Sequence, residues 1–245
     1  MADITLESLY ATLKSSLNEV IRKHSLSGKN IQVQCRILET AEAIGNPEDK
    51  DYPIQNGREH MIEAVFENAR GQAFADEFET FDCSVETLCT MKTDTSARRA
   101  IFIAGLNAVY RYCGSIEKTV HCRDEEPKEC ASHLPEVVQP GAKVALIGLQ
   151  PRFLARLAAM GEVRALDLDK KNIGQIKSGI RIEPSSQTED AIDWCDCVLA
   201  TGSTIVNGTI VPLLRQKKPV VFFGVTICAA AEILGLTVFC TAPAR

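Results

Sequence analysis

The sequence lacks any segment that would carry it into a membrane. Its first residues, 1–5, show neither the basic region nor the apolar core of a signal peptide, and no run approaches the ~20 apolar residues of a membrane span. A basic block is also missing, because the 27 Lys and Arg residues are spread along a chain whose formal net charge is -5. We therefore expect a soluble, cytoplasmic protein that contacts no membrane and no nucleic acid, and whose partners are small molecules or metal ions.

Cysteine pairs at the short spacings of a structural zinc site are missing as well. The chain has 10 cysteines but no Cys-x2-Cys pair. Cys195 and Cys197 are separated by a single residue, but they lead into an apolar run that predicts a buried strand. A chain of this length without a signal peptide is expected to keep its cysteines as thiols. Five of them fall in apolar patterns, where a thiol behaves as a small buried hydrophobe: Cys35, Cys89, Cys113, Cys228 and Cys240.

Residues 1–118 predict an α+β domain. Leucine, valine and isoleucine at spacings of three and four indicate an amphipathic helix over residues 4–23, with Asp3 or Thr5 as its cap. The patterns that follow predict a strand at 31–37 and a polar loop at 46–57. Residues 63–76 predict either two strands or one strand with a tight bend at 69–71. A short helix is predicted from Ser84 and a longer helix over 96–113. Glu63, Glu67 and Arg70 are typical of a solvated strand face, with a cleft-facing role as the alternative.

Residues 119–245 predict a second domain of α/β type. Mostly apolar runs alternate with helical patterns, which is typical of a parallel sheet covered on both faces and wound by right-handed crossovers. The predicted strands lie at 143–149, 163–167, 197–201 and 219–224, and the predicted helices at 151–160, 205–215 and 226–234. We therefore expect a Rossmann-like domain.

Ligands in such a sheet bind beyond the carboxyl ends of the strands. The loop at 148–151 lacks the Gly-x-Gly-x-x-Gly phosphate pattern, which disfavours ordinary dinucleotide binding. Asp167, at the end of the second predicted strand, is placed to accept a ribose hydroxyl or to act as a helix cap. The loop at 201–209 is rich in hydroxyls and glycine, so it predicts a pocket for an anionic group, or simple capping by Ser203 or Thr204.

The stretch at 120–130 joins the two predicted domains and carries thiol, imidazole and carboxylate groups together. Thiolate and imidazole are preferred ligands of soft and borderline metals, so His121, Cys122 and Cys130 are candidate ligands, with Glu125 to complete the shell. Neighbouring residues of a strand point to opposite sides, so His121 and Cys122 bind one ion only if the chain turns there. The alternative is a polar cleft wall without metal.

Several of these segments together resemble the bacterial and archaeal family named "Putative heavy-metal chelation". The segments are His-Cys-Arg-Asp-Glu-Glu-Pro at 121–127, Ile-Gly-Leu-Gln-Pro at 147–151, Asp-Leu-Asp at 167–169, Asn-Ile-Gly at 172–174 and Thr-Gly-Ser-Thr-x-Val-Asn-Gly-Thr at 201–209. Residues 67–74 are similar to a segment of the family's companion N-terminal domain. The resemblance implies an enolase-N-terminal-like domain, a Rossmann-like domain and a site in the cleft between them. It does not imply a known reaction.

Two functional hypotheses follow. The first is a binding protein whose cleft holds a metal ion or metal complex, with a transition or heavy metal ion as cofactor. The second is an enzyme acting on a nucleoside-containing or heterocyclic compound, such as an S-adenosylmethionine-linked transferase, with Asp167 or Asp169 on the sugar and His121 or Glu125 as acid or base. A scaffold with a vestigial cleft, and a homo-oligomer, stay open. The candidate cleft residues are Arg70, His121, Asp124, Glu125, Gln150, Asp167, Asp169, Asn172, Thr201, Gly202, Ser203, Asn207 and Thr226.

Overall fold

The computed structural model describes residues 4–27, 32–56, 59–77, 79 and 81–241. Its first half contains α1 (Leu6–Lys23), β1 (Gln32–Leu38), α2 (Thr40–Ile44), α3 (Pro53–Asn56), β2 (His60–Phe66), β3 (Ala69–Ala75), β4 (Phe81–Ser84), α4 (Val85–Thr90) and α5 (Ser96–Tyr112). The four strands form one antiparallel sheet in the order β3-β2-β1-β4.

The second half alternates strands and helices. It contains α6 (Glu126–Ser132), β5 (Val144–Ile147), α7 (Pro151–Met160), β6 (Val163–Asp167), β7 (Ile176–Lys177), β8 (Ile180–Pro184), α8 (Thr188–Trp194), β9 (Cys197–Thr201), α9 (Thr204–Asn207), α10 (Ile210–Leu214), β10 (Val220–Phe223), α11 (Cys228–Leu234) and β11 (Thr237–Phe239), with 3-10 turns at Leu134–Glu136, Ser185–Gln187 and Val225–Ile227. The sheet order is β11-β10-β9-β5-β6-β8-β7, and every pair is parallel except β7 with β8.

This arrangement confirms the predicted α/β class with a mostly parallel sheet. The four strands predicted after residue 119 are β5, β6, β9 and β10. The single helix predicted over 205–215 is wrong, because Gly208 adopts φ of +84° and separates α9 from α10. The finer enolase-like and Rossmann-like assignments, and the boundary at residues 118 and 119, stay predictions. No helix in the described part of the chain is long and apolar enough to cross a membrane.

The N-terminal helix begins where its capping residue predicts. The Thr5 side chain accepts a hydrogen bond from the Ser8 amide at 3.1 Å, which satisfies one of the free N–H groups of the first turn. The alternative cap, Asp3, lies outside the described residues, as do the first residue of the predicted strand, Ile31, and the loop glycine Gly57. The loop predicted over 46–57 contains the short helix α3.

The cysteines are thiols wherever the structure describes their side chains. These nine cysteines form no disulfide, as the sequence predicts. Burial differs from the expectation, since Cys89 is buried while Cys113, Cys228 and Cys240 are only partly buried. The side chain of Cys35 lies outside the described residues.

Helix α5 joins the two halves of the chain. Its residues from Ala100 to Tyr110 are all buried, because β2 and β3 cover one side of the helix while α9 and α11 cover the other. One hydrophobic cluster therefore runs from α1 and the first sheet, through α5, to the parallel strands. A helix that is apolar nearly all round is expected in such a position.

Gly71 lets β3 approach α5 closely. A Cβ atom at this position would lie 2.3 Å from the Ala104 carbonyl oxygen and 2.3 Å from the Ala108 nitrogen. The two-strand alternative for 63–76 is confirmed, but the bend is not at 69–71. The chain turns at 67–68, where Glu67 adopts φ of +53°, and Gly71 is a strand residue paired with Ala64. Its role is close packing instead of a turn conformation.

Asn107 is a fully buried amide in the middle of α5. Its Nδ2 donates to the carbonyl oxygens of Gln72 at 3.0 Å and Val225 at 3.1 Å. Its Oδ1 accepts from the Ala229 amide at 2.9 Å. One side chain thus links β3 of the first half to the 3-10 turn and helix that follow β10 in the second half.

We expect Asn107→Ala to destabilise the protein by about 3 kcal/mol. The change leaves buried N–H and C=O groups without partners, at about 1–3 kcal/mol each, while the gain in helix propensity is at most about 0.7 kcal/mol. Urea unfolding followed by circular dichroism measures the difference. The matched control is Asn18→Ala, since the exposed Asn18 side chain donates to the Lys14 carbonyl within α1, and it should change stability by less than about 0.5 kcal/mol. Equal losses of stability in the two variants would contradict the role of Asn107 in linking the two halves of the chain.

Candidate functional site

A cavity of about 920 Å³ lies between the first half of the chain and the carboxyl ends of the parallel strands. The strand order reverses at β5, because the chain continues to β6 on one side and later returns to β9 on the other. Ligands of doubly wound sheets bind in the crevice at such a reversal. Gly148, after β5, and Thr201, at the end of β9, both line the cavity, so it opens at this crevice.

Most of the predicted cleft residues line this cavity. They are His121, Gln150, Asp167, Asp169, Asn172, Thr201, Ser203, Asn207 and Thr226, and the predicted metal ligands Cys122 and Cys130 line it too. Arg70, Asp124, Glu125 and Gly202 are not among the lining residues that the structure describes. Gly202 instead packs under the loop, where a Cβ atom would lie 2.8 Å from the Ile227 nitrogen.

His121 and Cys122 lie side by side on the cavity wall. The chain around them is irregular, so the alternation of a strand does not turn them to opposite sides. His121 Nδ1 is 2.6 Å from the Cys122 carbonyl oxygen and 3.8 Å from the Cys122 Sγ atom. The imidazole ring also contacts the ring of Phe74 edge-on, with centroids 5.1 Å apart. The two side chains therefore lie on the same side of the chain.

A buried polar network holds His121 in place. Gln72 is fully buried, accepts a hydrogen bond from the His121 amide at 2.7 Å and donates through Nε2 to Glu63 at 2.8 Å. Arg70 Nε donates to the same Glu63 carboxylate at 2.8 Å. Glu63 is only 2% exposed, so its interpretation as part of a solvated strand face is wrong. Strand β2 is covered on both faces, which its alternating sequence does not reveal.

Asp124 and Glu125 hold the segment 44–56, which we call the strap. Asp124 Oδ1 accepts from the Asn46 amide at 2.8 Å, and Glu125 Oε1 accepts from the Glu48 amide at 2.8 Å. Gly45 has φ of +70°, and a Cβ atom there would lie 2.3 Å from Asp124 Oδ1. These two carboxylates thus fix a wall of the cavity without lining it.

The loop after β9 is stabilised by its own hydroxyl groups. Thr201 Oγ1 accepts from the Ser203 amide at 3.3 Å, and Thr204 Oγ1 donates to the Thr201 carbonyl at 2.8 Å. Asn207 Oδ1 accepts from both the amide and the hydroxyl of Thr209. The predicted helix cap is not seen at Ser203, whose side chain makes no capping hydrogen bond. The predicted pocket for an anionic group stays a prediction, since α9 has only four residues.

The loops after β5 and β6 also use their polar side chains locally. Gln150 Oε1 accepts from the Phe153 amide at 2.6 Å and so caps α7. Asp167 accepts from the Asp169 amide at 3.0 Å through Oδ1 and from Asn172 Nδ2 at 3.0 Å through Oδ2. A carboxylate has about four acceptor positions, so Asp167 keeps capacity for a ligand hydroxyl group.

Glu59, which sequence reasoning missed, lines the cavity beside the carboxylates of other residues. Its side chain is exposed to the cavity but enclosed by protein, and this loss of bulk water raises its pKa to about 7, with the charges of Asp167, Asp169 and Asp76 adding to the effect. His121 acts in the opposite direction. Glu59 belongs to no motif, so only the fold reveals its position.

Cys122, Cys130 and Cys240 all contribute to the cavity wall. Burial raises the pKa of the Cys130 thiol, which therefore stays protonated at neutral pH. Within the described part of the chain, no group of three or more His, Cys, Asp or Glu side chains is arranged to hold a metal ion. The adjacent His121 and Cys122 carry two groups of the kinds that bind soft or borderline metals.

The second half of the chain matches a known family. Residues 131–238 match the family model of DUF364, described as "Putative heavy-metal chelation", which confirms the resemblance drawn from the sequence motifs. The match begins after Cys130, so His121 and Cys122 lie outside it. A comparison with curated proteins gives no match for the chain.

A solved structure of a protein from this family shares the fold. A crystal structure of a protein with unknown function from the DUF364 family of Pyrococcus horikoshii has a TM-score of 0.57 and 18% identity, and the alignment covers 92% of this chain and 82% of that one. A family protein with unknown function from Desulfitobacterium hafniense DCB-2 has a TM-score of 0.49 and 19% identity, with 72% of each chain covered. At such identity the likeness to the Pyrococcus protein shows the fold alone.

We expect the stability of the protein to depend on Glu59 in the window from about pH 4.5 to about pH 7. The folded state binds the Glu59 proton more tightly than the unfolded state, so this residue lowers stability as pH rises through that window. Glu59→Gln should therefore raise the melting temperature at about pH 8, and the gain should vanish near pH 4.

Differential scanning calorimetry of both proteins across this range measures the effect. Glu162→Gln, on an exposed turn remote from the cavity, is the control for loss of one negative charge. If the melting temperature of Glu59→Gln differed from that of the wild type by the same amount at every pH, the raised pKa of Glu59 would be contradicted.

Proposed function

We propose, from the match to a chelation family, that this protein binds a metal complex in the cavity between its two halves. A metal complex here means a transition or heavy metal ion held by an organic chelator. The observation that carries the proposal is the pair His121 and Cys122 on the wall of a cavity of about 920 Å³. Imidazole and thiolate are ligands of soft and borderline metals.

The size of the cavity favours a complex over a bare ion. Pockets for organic ligands measure about 300–1,000 Å³, and this cavity is near the upper end of that range. Two adjacent protein donors leave at least half of the coordination positions of a metal ion unfilled. Among the described residues, no group of three His, Cys, Asp or Glu side chains is arranged to hold an ion. Donor atoms of an organic chelator would fill the remaining positions.

The apolar part of the wall suits the organic portion of such a complex. Phe153 and Phe223 line the cavity with their rings 5.0 Å apart, and Phe74 lies beside His121. Burying apolar surface stabilises a bound ligand by about 25 cal/mol per Å² before the losses of association are counted. The cavity therefore combines groups that bind metals with an apolar surface.

We expect the protein to bind Ni²⁺ in complex with iminodiacetate about tenfold more tightly than free Ni²⁺. The chelator fills further positions of the coordination shell that His121 and Cys122 begin, and it adds contacts with the cavity wall. Replacing both residues, as His121→Ala with Cys122→Ser, should weaken binding of the complex by more than about 100-fold, because both protein donors are lost.

Isothermal titration calorimetry under nitrogen measures both affinities, and the near-ultraviolet absorption of a thiolate bound to nickel reports Cys122 directly. Cys113→Ser is the matched control, since Cys113 ends α5 and does not line the cavity. Unchanged affinity in the double variant would refute the assignment of these donors. Tighter binding of the free ion than of the complex would favour chelation of a bare ion.

A second candidate is an enzyme acting on a nucleoside-containing compound, such as an S-adenosylmethionine-linked transferase. The observation that favours it is Asp167, which ends β6 beside the crevice, at the position where doubly wound folds hold a ribose hydroxyl. His121 lines the cavity, where its imidazole would act as acid or base. Glu125 does not line the cavity in the described part of the chain, and its carboxylate accepts a hydrogen bond from the strap.

Thermal-shift measurements with adenosine, S-adenosylhomocysteine and a pterin test the second candidate. A ligand at 100 times its dissociation constant stabilises the folded state by about 2.7 kcal/mol, and Asp167→Asn should abolish this shift. Asp193→Asn, on the exposed side of α8, is the control. Absence of a shift with all three compounds would count against the enzyme hypothesis.

A further inference from the structure

The strap and the start of α7 border the cavity from opposite halves of the chain, and we call the line where they meet the seam. Tyr52 and Ile54 line the cavity from the strap, while Pro151 and Phe153 line it from α7. Residues 45–52 of the strap form neither helix nor strand. Irregular chain therefore covers the cavity on one side of the seam, and the first turn of a helix covers it on the other.

The strap is anchored by apolar contacts in the first half of the chain. Ile44 and Tyr52 belong to a small buried cluster with Leu38, Ala43 and Met61, which come from β1, α2 and β2. The buried apolar residues of α6 and α7 belong to a different cluster, which extends into the parallel sheet. Within the described residues, no buried apolar cluster contains both the strap and these two helices.

Arg152 bridges the seam from the first turn of α7. Its Nη1 donates to Asp49 at 2.8 Å and its Nη2 donates to Asp51 at 2.6 Å. The guanidinium carbon also lies 5.7 Å from the centre of the Tyr52 ring. An arginine pairs with carboxylates and with an aromatic face, so one side chain makes all three contacts with the strap. We call these three contacts the latch.

The ion pairs of the latch are partly hydrated. The side chain of Arg152 is 20% exposed, and those of Asp49 and Asp51 are 35% and 48% exposed. Water solvates such groups when they separate, and dissolved salt screens their attraction, so ion pairs of this kind hold two elements together only weakly. The hydrogen bonds that Asp124 and Glu125 accept hold the strap to the connecting segment instead of to α7.

We infer that the seam is a gate of the cavity, which opens when Arg152 releases Asp49 and Asp51. The two sides of the seam share no buried apolar cluster among the described residues, so their separation exposes little apolar surface. Loops that open and close in this way control the entry and release of ligands. The inference goes beyond the proposed function, since it requires only that a molecule passes between the solvent and the cavity.

Alkylation of Cys130 measures access to the cavity. Cys130 lines the cavity and is 8% exposed, whereas Cys195 is 2% exposed and is not among the described lining residues. The full chain is treated with pyrene maleimide, a bulky neutral reagent, and peptide mass spectrometry follows each thiol separately. We expect Arg152→Gln to speed the alkylation of Cys130 by about tenfold, because loss of two ion pairs raises the open fraction of the gate. The alkylation of Cys195 should not change.

Arg164→Gln is the matched control variant. Arg164 is also 20% exposed, it pairs with Glu183 on β8 and Asp190 on α8, and its guanidinium carbon lies 5.8 Å from the Trp194 ring. This variant should keep the Cys130 rate within about twofold of the wild type. An unchanged Cys130 rate in Arg152→Gln would overturn the gate. Equal acceleration of Cys130 by Arg164→Gln, or of Cys195 by Arg152→Gln, would show a general loss of stability and would overturn it too.

Salt tests the latch without any substitution. Raising NaCl to about 1 M shortens the Debye length to about 3 Å, which weakens the partly exposed ion pairs of Arg152. The alkylation of Cys130 in the wild type should therefore accelerate several-fold, relative to the alkylation of glutathione under the same conditions. Arg152→Gln has already lost these ion pairs, so its Cys130 rate should respond less. Equal responses of the two proteins to salt would contradict the role of Arg152.

These outcomes are separable from failure of the proposed function, because neither readout uses a metal. Faster alkylation of Cys130 in Arg152→Gln, together with no binding of the nickel complex, keeps the gate and removes the metal. Binding of the nickel complex that depends on His121 and Cys122, together with an unchanged Cys130 rate in Arg152→Gln, keeps the metal and removes the gate.

Discussion

The hydrogen bonds of Asn107 and Gln72 determine how the two halves of this protein meet. Asn107 joins β3 to the turn after β10, and Gln72, on that same strand, binds the backbone of His121. Both side chains are fully buried, where an unpaired amide would be costly. The position of His121 relative to the Thr226 loop therefore follows from this buried hydrogen-bond network. The cavity, which both His121 and Thr226 line, depends on these hydrogen bonds.

The walls of the cavity differ in chemistry because they come from different elements. The connecting segment supplies His121 and Cys122, the parallel sheet supplies Asp167 and hydroxyl-bearing loops, and the strap supplies Tyr52. Under the proposed function, the carboxylates on one side would attract cations and the soft donors on another side would select among them. A metal ion with an organic partner would then meet both walls and the aromatic surface between them.

The sequence predicts the elements of this fold better than it predicts the site. Mostly apolar runs identify β5, β6, β9 and β10, and a helical pattern identifies α5, because local hydrophobic order determines these elements. Glu63 has the polar signature of a solvated strand face, yet it is buried, since burial of both faces of β2 depends on distant segments. Asp124 and Glu125 bear the chemistry of ligand binding but bond to the strap, 77 or 78 residues away in the chain. Glu59 stands outside every motif, and only tertiary contacts bring it to the cavity.

The most direct test is the composition of the protein as cells make it. Elemental analysis and mass spectrometry of small molecules, on protein purified without oxygen or added chelators, would measure metal and organic ligand together. We predict about one metal ion and about one organic molecule per chain, released together, and neither in a variant lacking the His121 and Cys122 side chains. Absence of metal from both proteins, or metal retained equally by the variant, would contradict a metal complex bound at this wall.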